Sequence, residues 1–138
     1  MISFFAEEIS FKVPHPIKTK RWLKSVIEQE EGQLNQLNYI FCSDEYLLVM
    51  NRQYLNHDYY TDIITFDTSE AEQEVEGDIF ISVDRVQENA TELGKTFEEE
   101  LRRVLVHGLL HLMRYDDTTP KLKAEMRARE DFHLQTYR

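Results

Sequence analysis

The segment Val104–Met113 constrains this 138-residue chain more than any other. Val104, Leu105, Val106, Leu109, Leu110, Leu112 and Met113 cover almost the whole circumference of a helix. A helix with no face to give to water belongs in the middle of a domain, with other elements packed around it. Only two polar side chains with hydrogen-bonding nitrogens interrupt it, His107 and His111. Four residues apart is one turn plus about 40° on an α-helix, so both imidazoles leave the same side. Desolvated together they repel when protonated, which pushes both toward the neutral form. Neutral, convergent imidazoles are the nitrogen donors that zinc takes. Gly108, between them, costs about 1 kcal/mol against Ala in a helix interior; a close approach by neighbouring backbone would explain it, and a tolerated defect is the alternative.

Two histidines do not make a catalytic metal site. A third ligand has to come from chain that folds back, and Tyr115-Asp116-Asp117 ahead of Thr118-Thr119-Pro120 is placed to turn there. Asp117 is the candidate, leaving two neutral ligands, one anionic ligand and an open position for water. The same residues also fit two core histidines bonded to carbonyls and an Asp117 that merely caps a helix. Gly108 stands where a zinc protease of the His-Glu-x-x-His type needs its general-base glutamate, which excludes that class.

The rest of the chain reads as one α+β domain over residues 1–138: a four-stranded mixed sheet with about five helices on it, the central one carrying the ligands. Strands are expected near 2–5, 37–42, 61–66 and 77–82, and helices near 17–31, 44–55, 83–93, 97–113 and 120–135. Gly32 and Gly94 read as helix stops, Thr96 with Glu99 as a capping box, and Thr119-Pro120 as the cap and first residue of the last helix. The acidic run Asp67–Glu76 reads as a hairpin connection. Cys42 is the only cysteine, which excludes a disulfide scaffold and a cysteine-based zinc finger. No apolar run approaches the ~20 residues of a membrane span, and acids occupy the start where a signal peptide needs a basic and then an apolar region. The expectation is a cytoplasmic protein without a membrane or disulfide partner.

The formal net charge is −10, which argues against indiscriminate polyanion binding. Yet residues 101–138 hold 8 basic and 5 acidic side chains, and Lys12, Lys18, Lys20, Arg21 and Lys24 lie in a stretch without an acid. These zones leave room for docking on a specific RNA or an acidic partner.

The stretch His107-Gly-x-x-His111-Leu-x-x-Tyr-x-Asp117 resembles the signature of the YbeY family of bacterial rRNA-maturation metallo-endoribonucleases. Asn51 through Phe66, with Asp58, Thr61-Asp62 and Ile64-Thr65-Phe66, is similar to that family's middle block, and Gly77-Asp-Ile-x-Ile-Ser82 to its following strand. The resemblance implies one Zn²⁺ per chain, held by His107, His111 and Asp117, the last replacing the family's third histidine. It implies a single-strand endoribonuclease acting in ribosomal RNA processing and ribosome quality control. Its partners would be precursor rRNA and ribosomal proteins or assembly factors. The family's basic residue falls on Leu55, and Arg52, one turn earlier, is the candidate to contact phosphate in its place. His57 and Thr65 are candidate substrate contacts, while His15 and His133 read as surface or packing residues. Arg114 stands where the family has a glycine, so the turn after the helix is expected to close differently. Two other readings stay open: a noncatalytic ribosome-assembly factor with a structural zinc, and a metal hydrolase with a substrate other than RNA.

Overall fold

The computed structural model describes residues 1–138. Its elements run β1 (Ile2–Ala6), α1 (Pro16–Gln29), β2 (Gln33–Cys42), α2 (Asp44–Tyr54), β3 (Ile63–Asp67), β4 (Glu74–Ser82), α3 (Val83–Leu93), α4 (Phe97–Leu112) and α5 (Pro120–Leu134). The sheet order is β1-β2-β4-β3; β1 and β4 pair parallel to β2, and β3 pairs antiparallel to β4. This is the expected mixed four-stranded sheet with five helices. Both β2 and β4 begin earlier than expected, because Gln33-Leu34 pairs with Glu74-Val75 ahead of a register shift.

Alternation along the strands sorts the side chains into two faces. Leu37, Tyr39 and Phe41 of β2 join Val75, Ile79 and Ile81 of β4 in the main core, which the apolar residues of α4 complete. Leu101, Val104, Leu105, Val106, Leu109, Leu110 and Leu112 are at most 4% exposed, as a helix apolar on all sides requires. Tyr39 is buried with its hydroxyl satisfied by donation to the Leu105 carbonyl at 2.8 Å. On the other face of the sheet a smaller cluster of Cys42, Leu47 and Ile64 seats α2. Burial there pushes the Cys42 thiol up to about 12, so it is an inert packing group. No helix is long and apolar enough to cross a membrane.

Helix ends follow the sequence signals with two corrections. Ser43, Ser82, Thr96 and Thr119 each accept a bond from the first turn they cap, and Thr96 with Glu99 closes the full capping box. Gly94 ends α3 in the left-handed conformation. At the end of α1, however, Glu31 takes the left-handed position at φ 62° and Gly32 does not. Gly32 follows it, where a Cβ would stand 2.7 Å from Met113 Cε, the movable end of a flexible side chain, and 3.2 Å from Ile27 Cγ2. At Gly108 a Cβ would stand 2.6 Å from Ile63 Cδ1 and 3.0 Å from Ile79 Cγ2. What approaches is therefore side chain from the sheet, not backbone, and the missing Cβ lets α4 settle onto β3 and β4.

The turn after α4 also departs from expectation. Arg114 keeps the left-handed backbone at φ 77° that a glycine would adopt freely, at a cost of about 1–2 kcal/mol. Its guanidinium offsets this by pairing with the Asp67 carboxylate and reaching Ser69 Oγ at 3.3 Å, which ties the turn to the β3–β4 hairpin.

Glu30, at the end of α1, gathers the other elements around this turn. Its carboxylate accepts from Tyr115 Oη at 2.6 Å and Arg129 Nε at 2.7 Å, and meets His133 Nε2 at 2.6 Å. His133 is fully buried, a packing residue that is also part of an ionic network. Burial alone would raise the Glu30 pKa, but the bonds from Tyr115, His133 and Arg129 outweigh it and hold the carboxyl below its ordinary range. A depressed carboxyl contributes stability that is complete above its unfolded pKa and lost as pH falls through the folded value. Glu30→Gln is therefore expected to cost about 2 kcal/mol at neutral pH, the scale of hydrogen bonds to a charged group. Urea unfolding of the two proteins should show the difference undiminished above pH 4.5 and closing below it.

Candidate metal centre

Helix α4 delivers His107 and His111 to the same side, as their spacing requires, with ring centroids 4.6 Å apart. Each ring is fixed through its Nδ1. His107 Nδ1 lies 2.6 Å from Glu130 Oε2 on α5, and His111 Nδ1 lies 3.1 Å from the Tyr115 carbonyl oxygen. A carbonyl only accepts, so His111 carries its proton on Nδ1; the Glu130 carboxylate places the His107 proton likewise. Both Nε2 atoms then present lone pairs, and they face each other at 3.1 Å.

The loop beyond α4 supplies the third group. Asp116 Oδ1 accepts from the backbone N–H of Asp117 at 2.7 Å and of Thr118 at 3.2 Å, a local turn that folds the chain back. Asp117 Oδ2 thereby reaches 3.6 Å from His107 Nε2 and 3.5 Å from His111 Nε2. The cap of α5 is Thr119, not Asp117, which removes the reading of Asp117 as a helix cap. The bland reading holds only in that His111 does bond a carbonyl.

Three donor atoms this close need a positive charge between them, either a proton on one Nε2 or a metal ion, and two imidazoles with a carboxylate are a set that a metal ion takes. A tetrahedral zinc with bonds of ~2.0–2.1 Å has ligand–ligand edges of about 3.3–3.4 Å. The separations of 3.1, 3.5 and 3.6 Å bracket that value, and the residues present fit such an ion. His107, His111 and Asp117 form the one group of three or more such side chains close enough to share a metal. His107 and His111 are each a quarter exposed, and Asp117 a third, leaving one side open.

Beside His107 and Asp117 lies a cavity of about 490 Å³ between α4, α5 and the start of β3. Two of its residues were not singled out as functional in the sequence. Glu130, with its side chain 4% exposed, holds His107 from below and is itself held by Arg103 Nη1 at 2.7 Å. Burial would raise its pKa, but His107 and Arg103 keep it lowered. Nothing in the sequence marks a glutamate 23 residues beyond His107 as its partner; the signal exists only once α5 is packed on α4. Asp62 lines the same cavity without a side-chain partner. Its pKa is raised, chiefly by burial and further by Asp117, against the pull of His107 and Arg85. Asp62 does lie inside a matched sequence block, which was the available signal. His107 itself is raised: burial opposes its positive form, and Glu130, Asp117 and Asp62 together more than offset that.

The remaining sequence candidates are not brought to this cavity. Arg52 is exposed and paired with Asp58 at 2.5 Å. His57 is exposed and turned onto Tyr59, Nδ1 to Oη 3.0 Å. Thr65, half-buried on β3 opposite Ile79, does not line the cavity. Leu55, where the family's basic residue was sought, is 40% exposed.

A buried helix bearing two oriented imidazoles, a carboxylate returning from the loop beyond it and a cleft alongside define a metal-centre domain of the hydrolase kind. Residues 5–138 match the family described as Endoribonuclease YbeY. The chain is 53% identical over 133 residues to the Endoribonuclease YbeY of Cytophaga hutchinsonii, covering 96% of this chain and 93% of that one. It is 46% identical over 137 residues to the Endoribonuclease YbeY of Flavobacterium psychrophilum, covering 99% and 96%. A solution structure of a Thermotoga maritima protein superposes with a TM-score of 0.72 at 32% identity, covering 98% of this chain and 87% of that one. The chain belongs to the YbeY endoribonuclease family.

Outer partners that orient a metal-ligating histidine typically contribute 10–100-fold to metal affinity. Glu130→Ala is accordingly expected to weaken divalent-metal binding by about that factor, read by chelator competition, with the helical circular dichroism spectrum retained.

Proposed function

We propose that this chain is a zinc-dependent endoribonuclease that hydrolyses phosphodiester bonds in single-stranded RNA, acting on ribosomal RNA precursors during ribosome maturation and quality control. The observation that carries the proposal is the convergence of His107 Nε2, His111 Nε2 and Asp117 Oδ2 beside an open cavity. Family membership supplies the substrate class.

In this reading His107, His111 and Asp117 hold one zinc ion, which when bound supplies Lewis acidity to a phosphoryl oxygen and lowers the pKa of water at the site. Glu130 keeps the His107 proton on Nδ1 and the Tyr115 carbonyl keeps the His111 proton on Nδ1, so both Nε2 atoms stay available as ligands. Asp62, unpaired and with a raised pKa, is the group that accepts the proton from attacking water as the new O–P bond forms. The bridging O–P bond then breaks, and the departing oxygen takes up the proton that Asp62 received from the water, which returns Asp62 to its carboxylate form. The open side of the ligand group and the absence of a fourth neighbouring side chain support catalysis over a closed structural zinc. The formal charge of −10 supports recognition in a ribosomal context, with ribosomal proteins or assembly factors as partners, over nonspecific attraction to RNA.

Metal analysis of the purified protein should give about one zinc per chain, as expected for a single three-ligand site. His107→Ala should lose both that zinc and cleavage of a single-stranded RNA; stoichiometric zinc in the variant would contradict the assignment. Asp62→Asn should keep its zinc while cleavage falls by about 10²-fold or more. Full activity in that variant would remove Asp62 from the chemistry.

A further inference from the structure

The zinc centre sits among carboxylates, which raises the question of how an RNA phosphate approaches it. Asp62, Glu100, Asp117 and Glu130 all line the cavity. Arg103 is there too, but its guanidinium is committed, Nη1 to Glu130 at 2.7 Å and Nη2 to Asp131 at 2.6 Å. Arg52, the sequence candidate for the phosphate contact, is paired with Asp58 away from the cavity.

Two cations remain. Lys123 and Arg127 line the same cavity from α5, are both exposed, and make no side-chain ion pair. Four residues apart, they leave one face of the helix together, and Glu130, the partner of His107, follows a turn later on that face. Lys123 is not placed for the stability of α5. The first turn of that helix holds no acid, and a lysine near a helix N-terminus opposes the backbone dipole. Arg127 faces Glu100 across the cavity, yet forms no bond with it. Both cations are thus free to be neutralised by an anion from outside, and the helix dipole acts on that anion in the same direction.

We propose that Lys123 and Arg127 form a phosphate-binding subsite that seats the RNA backbone beside the zinc centre, in place of the basic residue that this chain lacks at Leu55. The inference rests on the functional reading above. Arg127 presents a planar fork that holds a phosphodiester's two free oxygens, and Lys123 adds a second, mobile charge along the strand. The subsite reads backbone and not base, so it is indifferent to sequence.

The test uses zinc-loaded full-length protein and two probes: a short single-stranded RNA for cleavage, and its 2′-O-methyl phosphorothioate counterpart for binding by fluorescence anisotropy. The double variant Lys123→Ala/Arg127→Ala should raise KM and the dissociation constant by about tenfold or more, with zinc content and melting temperature unchanged. The slope of log affinity against log salt should become shallower by about 1.4, the loss of two single-strand phosphate contacts. Lys123→Arg, which keeps the charge, should bind near wild type, whereas Arg127→Lys, which keeps the charge but not the fork, should lose part of the binding; equal binding by Arg127→Lys and wild type would refute the bidentate contact. Lys121→Ala, which removes a charge from the same turn but outside the cavity, should stay near wild type. If the double variant binds and cuts like wild type, the subsite is refuted while the nuclease reading stands. If Lys121→Ala weakens binding as much as either cavity substitution made alone, only a diffuse field operates and the subsite is likewise refuted. If wild type neither binds nor cuts, the nuclease reading fails and takes the subsite with it.

Discussion

The contact on which the rest depends is the one between His107 Nδ1 and Glu130 Oε2, 2.6 Å long and nearly closed to solvent on the carboxylate side. A neutral imidazole can carry its proton on either nitrogen, and only one choice leaves Nε2 as a donor. The buried carboxylate makes that choice, and Arg103 keeps the carboxylate ionised in turn. His111 is fixed by a weaker acceptor, the Tyr115 carbonyl, at 3.1 Å. Two rings so oriented bring their Nε2 atoms to 3.1 Å, a separation that a shared proton or a metal ion in its place satisfies. The metal centre is thus set up by proton placement one bond away from the proposed ligands.

The remainder of the fold holds that arrangement still. α4 is threaded through the core, so its two histidines cannot rotate away without exposing seven apolar side chains. The loop that carries Tyr115 and Asp117 is anchored twice where it leaves α4. Arg114 ties it to the β3–β4 hairpin through Asp67 and Ser69, and the Tyr115 hydroxyl ties it to Glu30 and through Glu30 to α1 and α5. Tyr115 therefore serves twice, its phenol fastening the loop and its carbonyl orienting His111. The left-handed strain at Arg114 is tolerable because the same residue supplies one of those ties.

Much of this was legible in the sequence, for identifiable reasons. The uniform apolarity of 104–113 places α4 in the core, the i,i+4 histidines place two donors, and Ser, Thr and Gly signals place the helix ends. Each of those depends on a few neighbouring residues. Glu130 and Lys123 depend instead on how α5 lies against α4, and nothing local marks them. Arg52 and His57 were marked by position in a motif, and the structure pairs their side chains with Asp58 and Tyr59 outside the cavity. At Gly108 the close approach comes from side chains of β3 and β4 and not from backbone, and a contact from a distant side chain cannot be seen along the chain.

The central claim is that both imidazoles carry Nδ1 protons and direct Nε2 at a shared cation. Long-range proton–nitrogen correlation NMR of the histidine-labelled protein, without and with stoichiometric zinc, reads this directly. The account predicts Nδ1–H in both His107 and His111 at neutral pH with zinc present, and Nε2 resonances of both rings that move on zinc addition. An Nε2–H in either ring of the zinc-treated protein, or Nε2 resonances indifferent to the ion, would contradict it.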